Sequence, residues 1–141
     1  MLSRGVLLCA LLWIAACAAP PDSSPTLYAR LGGAPVIERV VDDLIDRTST
    51  DPRTARSFDG VKLARLKEKL REQLCELSGG PCRYTGDPMK AVHQGLKNTE
   101  SEFYLMVQFL RDALTSAGVG EGEKNELLKL LAPMKRDIVG G

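Results

Sequence analysis

The chain has 141 residues, 19 Lys and Arg against 18 Asp and Glu, and one histidine. Apolar residues make up 44% of it, enough for a core of domain size. A formal charge of +1 gives it no electrostatic reason to seek nucleic acid, so no nucleic-acid partner is expected.

The first sixteen residues read as a secretory signal rather than as part of the fold. Arg4 supplies the positive start, and Val6 to Ala16 form an apolar run too short for a stable span. Ile14-Ala15-Ala16-Cys17 resembles a bacterial lipobox, in which the cysteine is lipidated at its thiol and becomes the new N-terminus; an ordinary signal cut near Ala19 is the alternative. Cys17 to Pro25 then reads as a lipidated tether, and several acyl chains would make the anchor firm. Loss of Arg4, with no acid beside it, leaves the mature chain neutral. Residues 26–141 are expected to form one domain. The anchor implies a bacterial cell envelope, on the periplasmic face. Ala18, where an acid would favour inner-membrane retention, points by analogy to the outer membrane. In that oxidising compartment Cys75 and Cys82 could pair across the Gly79-Gly80 turn, but seven residues at a helix end leave the geometry open.

After the tether the chain reads as helix throughout. Thr26 to Leu31 is a short turn of helix stopped by Gly32-Gly33. Pro35 is a tolerated first-turn residue, and Val36, Ile37, Val40, Val41, Leu44 and Ile45 recur at three- and four-residue spacing towards Ser49. Asp51-Pro52 opens a helical corner that Phe58-Asp59-Gly60 closes. Val61 to Leu77 carries the stripe Leu63, Leu66, Leu70, Leu74 and Leu77, and Ser78-Gly79-Gly80-Pro81 stops it. Asp87 as N-cap and Pro88 at the first position predict a short helix to about Gln94. Thr99 or Ser101 caps the next, with Glu102 placed for a capping box; its face holds Phe103, Met106, Val107, Leu110, Leu114 and Ala117. A last helix is predicted over about Glu123 to Val139. No stretch alternates with period two, so the fold class is all-α.

His93 is the residue with chemistry to offer. A lone histidine on a helix is more often a hydrogen-bonded imidazole than a metal ligand. Here Met89, Val92 and Leu96 surround it, and no second histidine, acid pair or cysteine cluster completes a zinc or nucleophile site. The common cofactor that needs one protein nitrogen and a large apolar slot is haem.

These residues carry a wider likeness. Leu27-Tyr28-Ala29-Arg30-Leu31-Gly32-Gly33, Phe58-Asp59-Gly60, Arg65-Leu66-Lys67, Gly79-Gly80-Pro81, Tyr84-Thr85-Gly86 and Met89 to Leu96 fall in order and with the spacing of one family. From Thr26 to Val139 the chain resembles the group 1 truncated haemoglobins. The resemblance implies a two-over-two helical sandwich, haem b as cofactor and a diatomic gas (O2, NO or CO) as ligand. It implies His93 as the iron ligand and Phe58 packed against the haem. It makes Leu66 and Leu70 distal, and Met89, Val92 and Phe103 proximal contacts. Lys69 and Tyr84 complete the expected cofactor-binding set, and Leu44, Ile45, Leu66, Leu70 and Gln73 the expected distal pocket. The free imidazole nitrogen is expected to donate to a carbonyl one turn earlier.

The sequence departs from the family on the distal side. Many relatives place a tyrosine and a glutamine where this chain has Ile45 and Leu70, and Gln73 is the nearest amide. An apolar distal pocket offers no donor to bound oxygen, which argues against high-affinity storage. Lys69 either pairs with a propionate or swings in as a sixth iron ligand. Asn98 stands where relatives commonly carry an aliphatic residue. Two alternatives stay open: a six-coordinate electron-transfer protein, and a haem-free interaction module. NO dioxygenase-type activity would also need a reductase partner, which the sequence does not name.

Overall fold

Thr26 opens the first helix, α1 (Leu27–Leu31), by accepting the Ala29 N–H on its side-chain oxygen at 3.3 Å. The structure, a computed structural model, describes residues 24–140. The signal, the lipobox with Cys17 and most of the tether lie outside the described residues.

Gly32, at φ +104°, turns the chain directly from α1 into α2 (Gly33–Thr50). A side chain there would be strained in any case, and its Cβ would fall 2.5 Å from a methyl of Val36. α2 buries Ile37, Val40, Val41, Leu44, Ile45 and Thr48, the face its spacing predicts. A 3-10 turn (Ala55–Phe58) forms the corner, and α3 (Leu63–Leu77) begins two residues later than Val61. α2 packs against both α3 and α5 (Glu100–Ser116), and the core sits at that junction, with Leu74, Leu110, Leu114 and Leu127 closing it. Each such side chain fully removed from water contributes about 1.5–3 kcal/mol.

Cys75 and Cys82 are joined, with their Cα atoms 5.7 Å apart. The bond ties the last turn of α3 to the loop that leads into α4 (Met89–His93). Pro88, not Asp87, is the residue that flanks α4, and no side chain caps that end. The capping box of α5 is complete: Thr99 Oγ1 accepts the Glu102 N–H, and Glu102 Oε2 accepts the Thr99 N–H at 2.7 Å.

The last predicted helix is three pieces. α6 (Glu121–Leu131) gives way to a 3-10 turn (Ala132–Met134) and then to α7 (Lys135–Ile138). Pro133 is the cause, since it has no N–H to donate and its ring disturbs the preceding turn. α7 packs against α4, which the apolar spacing alone did not reveal. Among the described residues there is no strand, only an isolated bridge between Asn98 and Val139.

Candidate functional site

α2, α3, α4, α5, α6 and α7 line a cavity of about 910 Å³. That lies near the upper end of the ~300–1,000 Å³ usual for small-molecule and cofactor sites. Of the residues expected there, Leu44, Phe58, Leu66, Lys69, Leu70, Gln73, Tyr84, Met89, Val92, His93 and Phe103 all line it.

Ile45 does not. It is 0% exposed within the α2 core, while its neighbour Leu44 takes the cavity position. Consecutive helical residues point about 100° apart, and on α2 that rotation carries Ile45 into the core while Leu44 meets the cavity. The sequence reading also missed the far wall, where Met106, Leu110, Leu128, Leu131, Met134 and Ile138 complete the lining. Their apolar spacing was visible, but not the element they would meet.

His93 has defined chemistry. Its Nδ1 lies 2.8 Å from the carbonyl oxygen of Met89, one turn earlier on α4. A carbonyl can only accept, so Nδ1 donates to it, and Nε2 is the ring nitrogen left for another partner. Nε2 makes no hydrogen bond to any described residue. Val92 beside it is 43% exposed, unusual for a valine that lines an apolar cavity.

Lys69 sits in a polar latch. Its Nζ donates to Glu72 Oε1 at 2.8 Å and to Thr85 Oγ1 at 2.6 Å. Glu72 Oε2 accepts the Thr85 N–H and hydroxyl at 2.9 and 2.8 Å. The hydrogen bond from Lys69, followed by those from Thr85, holds the Glu72 carboxyl at about 2. The same bond to Glu72 pushes Lys69 above its ordinary value. Tyr84 donates its hydroxyl to the Asp87 carbonyl at 2.8 Å, and burial raises its pKa. Gly86 lets that ring approach the loop closely: a Cβ there would fall 2.7 Å from Tyr84 Cε2.

Two threonines in the lining are committed to backbone. Thr48 donates to the Leu44 carbonyl at 2.6 Å, and Thr54 to the Thr48 carbonyl at 2.6 Å. Gln73 differs. It is 8% exposed, and its Nε2 lies 3.5 Å from the Met89 sulfur and 3.7 Å from that of Met134, both weak acceptors.

Residues 26–139 match the family model of the bacterial-like globins. The group 1 truncated hemoglobin GlbN of Mycolicibacterium paratuberculosis is 40% identical over 116 residues, covering 82% of this chain and 85% of that protein. The chain belongs to the group 1 truncated haemoglobins. GlbN of a Nostoc species is 34% identical over 114 residues, covering 81% of this chain and 97% of its own. Among solved structures, the truncated hemoglobin of Tetrahymena pyriformis in its Fe(III) form superposes with a TM-score of 0.79 at 25% identity, over 83% of this chain and all of that one. The hemoglobin of Chloroflexus aurantiacus gives 0.70 at 27% identity, over 81% and 98%.

A truncated haemoglobin is a haem-binding globin, and the residues present fit that group. One imidazole has its Nδ1 anchored and its Nε2 left for a metal, and a cavity of cofactor size is walled largely by Leu, Met, Phe and Val side chains.

Proposed function

We propose that this truncated haemoglobin holds haem b in the cavity through His93 and binds O2, NO or CO there, from a lipid anchor at Cys17 in the cell envelope. The observation that carries the haem assignment is the Nδ1 bond of His93 to the Met89 carbonyl, which fixes the ring and reserves Nε2 for a metal. When bound, haem would supply an iron with a coordination position for a small gas.

The chain's own residues then decide what that position favours. Leu66 and Leu70, the α3 residues that the family resemblance makes distal, line the cavity, and neither donates a hydrogen bond. Thr48 and Thr54 spend their hydroxyl protons on backbone carbonyls. Gln73 is the α3 amide in the lining, and its Nε2 rests against the Met89 and Met134 sulfurs; a gas out of its reach that gathers negative charge on its outer atom lacks a bond worth about 1.5–3 kcal/mol, a ten- to hundredfold loss in retention. CO and NO, less dependent on such a donor, fit the pocket better than stored oxygen does. The six-coordinate reading has less support: the Lys69 ammonium is engaged by Glu72 and Thr85, and a protonated amine has no lone pair for a metal.

The envelope assignment rests on the signal and lipobox pattern, with Ala18 favouring the outer membrane. The disulfide is consistent with it, since such bonds persist mainly outside the cytosol. Protein produced with haem available should show a Soret band that His93→Ala loses or shifts. Its absence in the wild type would favour the haem-free interaction module. Feeding cells an alkyne-tagged fatty acid should label the full chain and not its Cys17→Ser variant.

A further inference from the structure

Arg56 belongs to the 3-10 turn that ends at Phe58, yet its guanidinium reaches across to the chain that follows His93. Nη1 donates to the Leu96 carbonyl at 3.1 Å, and Nη2 to the Lys97 carbonyl at 3.1 Å and to Glu102 Oε2 at 2.6 Å. These partners are 40, 41 and 46 residues away in sequence. Phe58 follows Arg56 by two residues, His93 precedes Leu96 by three, and Phe103 follows Glu102 directly. One planar cation therefore joins the three segments that carry these cavity walls.

The segment after His93 bends sharply and holds no helix before α5. α4 is five residues long, and Leu96 donates back to the His93 carbonyl at 3.2 Å. Gly95 turns at φ +81°, and Lys97 follows at φ +51°, the non-glycine residue with positive φ among those described. A residue with a Cβ resists that conformation, so neighbouring contacts must hold it in place. Arg56 does so by satisfying the carbonyls of Leu96 and Lys97 together. Ser57 makes a parallel tie, its hydroxyl 2.8 Å from Asn98 Oδ1, and the Asn98 carbonyl accepts the Gly140 N–H at 3.0 Å. Glu102 is doubly used: the Oε2 that meets Arg56 also closes the α5 capping box.

We infer that Arg56, braced by Glu102, is a positioning residue for the proximal ligand: it fixes the backbone after His93 against the Phe58 corner and so sets how firmly the imidazole holds haem iron. The inference rests on the haem reading of the cavity. A lysine at position 56 keeps the charge and loses the fork that spans two carbonyls, so it does not substitute.

The test uses the haem-loaded full chain and measures haem transfer to an excess of an apo-globin acceptor, together with the iron–imidazole stretching band of the ferrous protein. Arg56→Gln and Arg56→Lys are expected to release haem at least tenfold faster and to shift or broaden that band. Glu102→Gln, close in shape, should move both readouts in the same direction by a smaller factor, and it serves where an Arg56 variant does not fold. In a His93→Gly background supplied with free imidazole, the ligand is no longer attached to α4. Arg56→Gln should then change release less than twofold. Release and band unchanged in Arg56→Gln and Glu102→Gln would overturn the inference. An Arg56→Gln effect undiminished with free imidazole would do the same, since it would mark a merely structural role. A wild-type protein with no Soret band would remove the haem reading and this inference with it, whereas a normal Soret band with unaltered release removes this inference alone.

Discussion

On the proposed haem reading, two residues on one turn of α3, Lys69 and Leu70, bear most on the distal side. Lys69 is held as a cation by Glu72, whose hydrogen bond raises its pKa. A group raised in this way stays protonated up to its folded pKa, so the amine has no lone pair to offer at neutral pH. Lys69→Ala should therefore leave the spin state of the ferric haem protein unchanged between about pH 6 and 9. A low-spin spectrum that turned high-spin on this substitution would revive the six-coordinate reading. Leu70 makes the opposite prediction, because a donor introduced there reaches the cavity. Leu70→Gln should slow oxygen dissociation about ten- to hundredfold in stopped-flow measurements, the value of one hydrogen bond to a charge-bearing acceptor. Ile45→Tyr, the other change that family resemblance suggests, should behave differently. Ile45 is wholly enclosed in the core and does not line the cavity. The larger side chain would overpack it at a cost of about 1–3 kcal/mol. A dissociation rate that responded to Ile45→Tyr but not to Leu70→Gln would reverse this assignment of the two positions.

At the scale of elements, what was legible in the sequence followed local rules. The α2 and α3 stripes, the Thr99–Glu102 box and the stop at Gly79-Gly80 depend on neighbours within one or two turns, so spacing alone reveals them. His93 and the carbonyl that orients it belong to a single turn, and for that reason the proximal anchor could be anticipated. Pro133 was a local signal that went unread beneath a strong apolar pattern, and it divides the last helix. The Arg56 bridge and the packing of α7 on α4 were not readable, since each joins residues 40 or so apart with no sequence period to mark them. The α5 start shows how such ties become pH-dependent. The Arg56 hydrogen bond, together with those from Thr99, holds Glu102 at about 2 against an ordinary 4.5. A carboxylate with a lowered pKa contributes stability above its unfolded value and loses it as pH falls through the folded one. Unfolding midpoints should therefore fall as pH drops from about 4.5 to about 2. Glu102→Gln should be less stable at pH 7 and should show a shallower fall. Parallel acid profiles for the two proteins would mean that Glu102 is not a source of the dependence.

At the scale of the whole domain, α3 and α4 both wall the cavity, and the loop between them is closed by the Cys75–Cys82 bond and the Glu72–Thr85 latch. The sequence left that disulfide open, because seven residues after a helix end can place two cysteines either within reach or apart; the reversal at Gly79 and Gly80 brings their Cα atoms to 5.7 Å. Chain-entropy arguments for a loop this short give about 2.5 kcal/mol of stabilisation, obtained by restricting the unfolded chain. For a domain of this size that corresponds to roughly 10 °C in the unfolding midpoint. Cys82→Ser is the clean variant, since Cys82 is exposed whereas Cys75 is buried, and a hydroxyl at position 75 would add a desolvation cost of its own. A dithiol reductant added to the wild type should lower the midpoint by the same amount as Cys82→Ser and should have no effect on that variant. If the bond only constrains the unfolded chain, haem release from the folded protein should be unaffected by reduction, because the Glu72–Thr85 contacts still hold the loop to α3. Faster release on reduction, abolished in Cys82→Ser, would instead make the disulfide part of the grip on the cofactor, and an unchanged midpoint would show that the bond does not stabilise the fold.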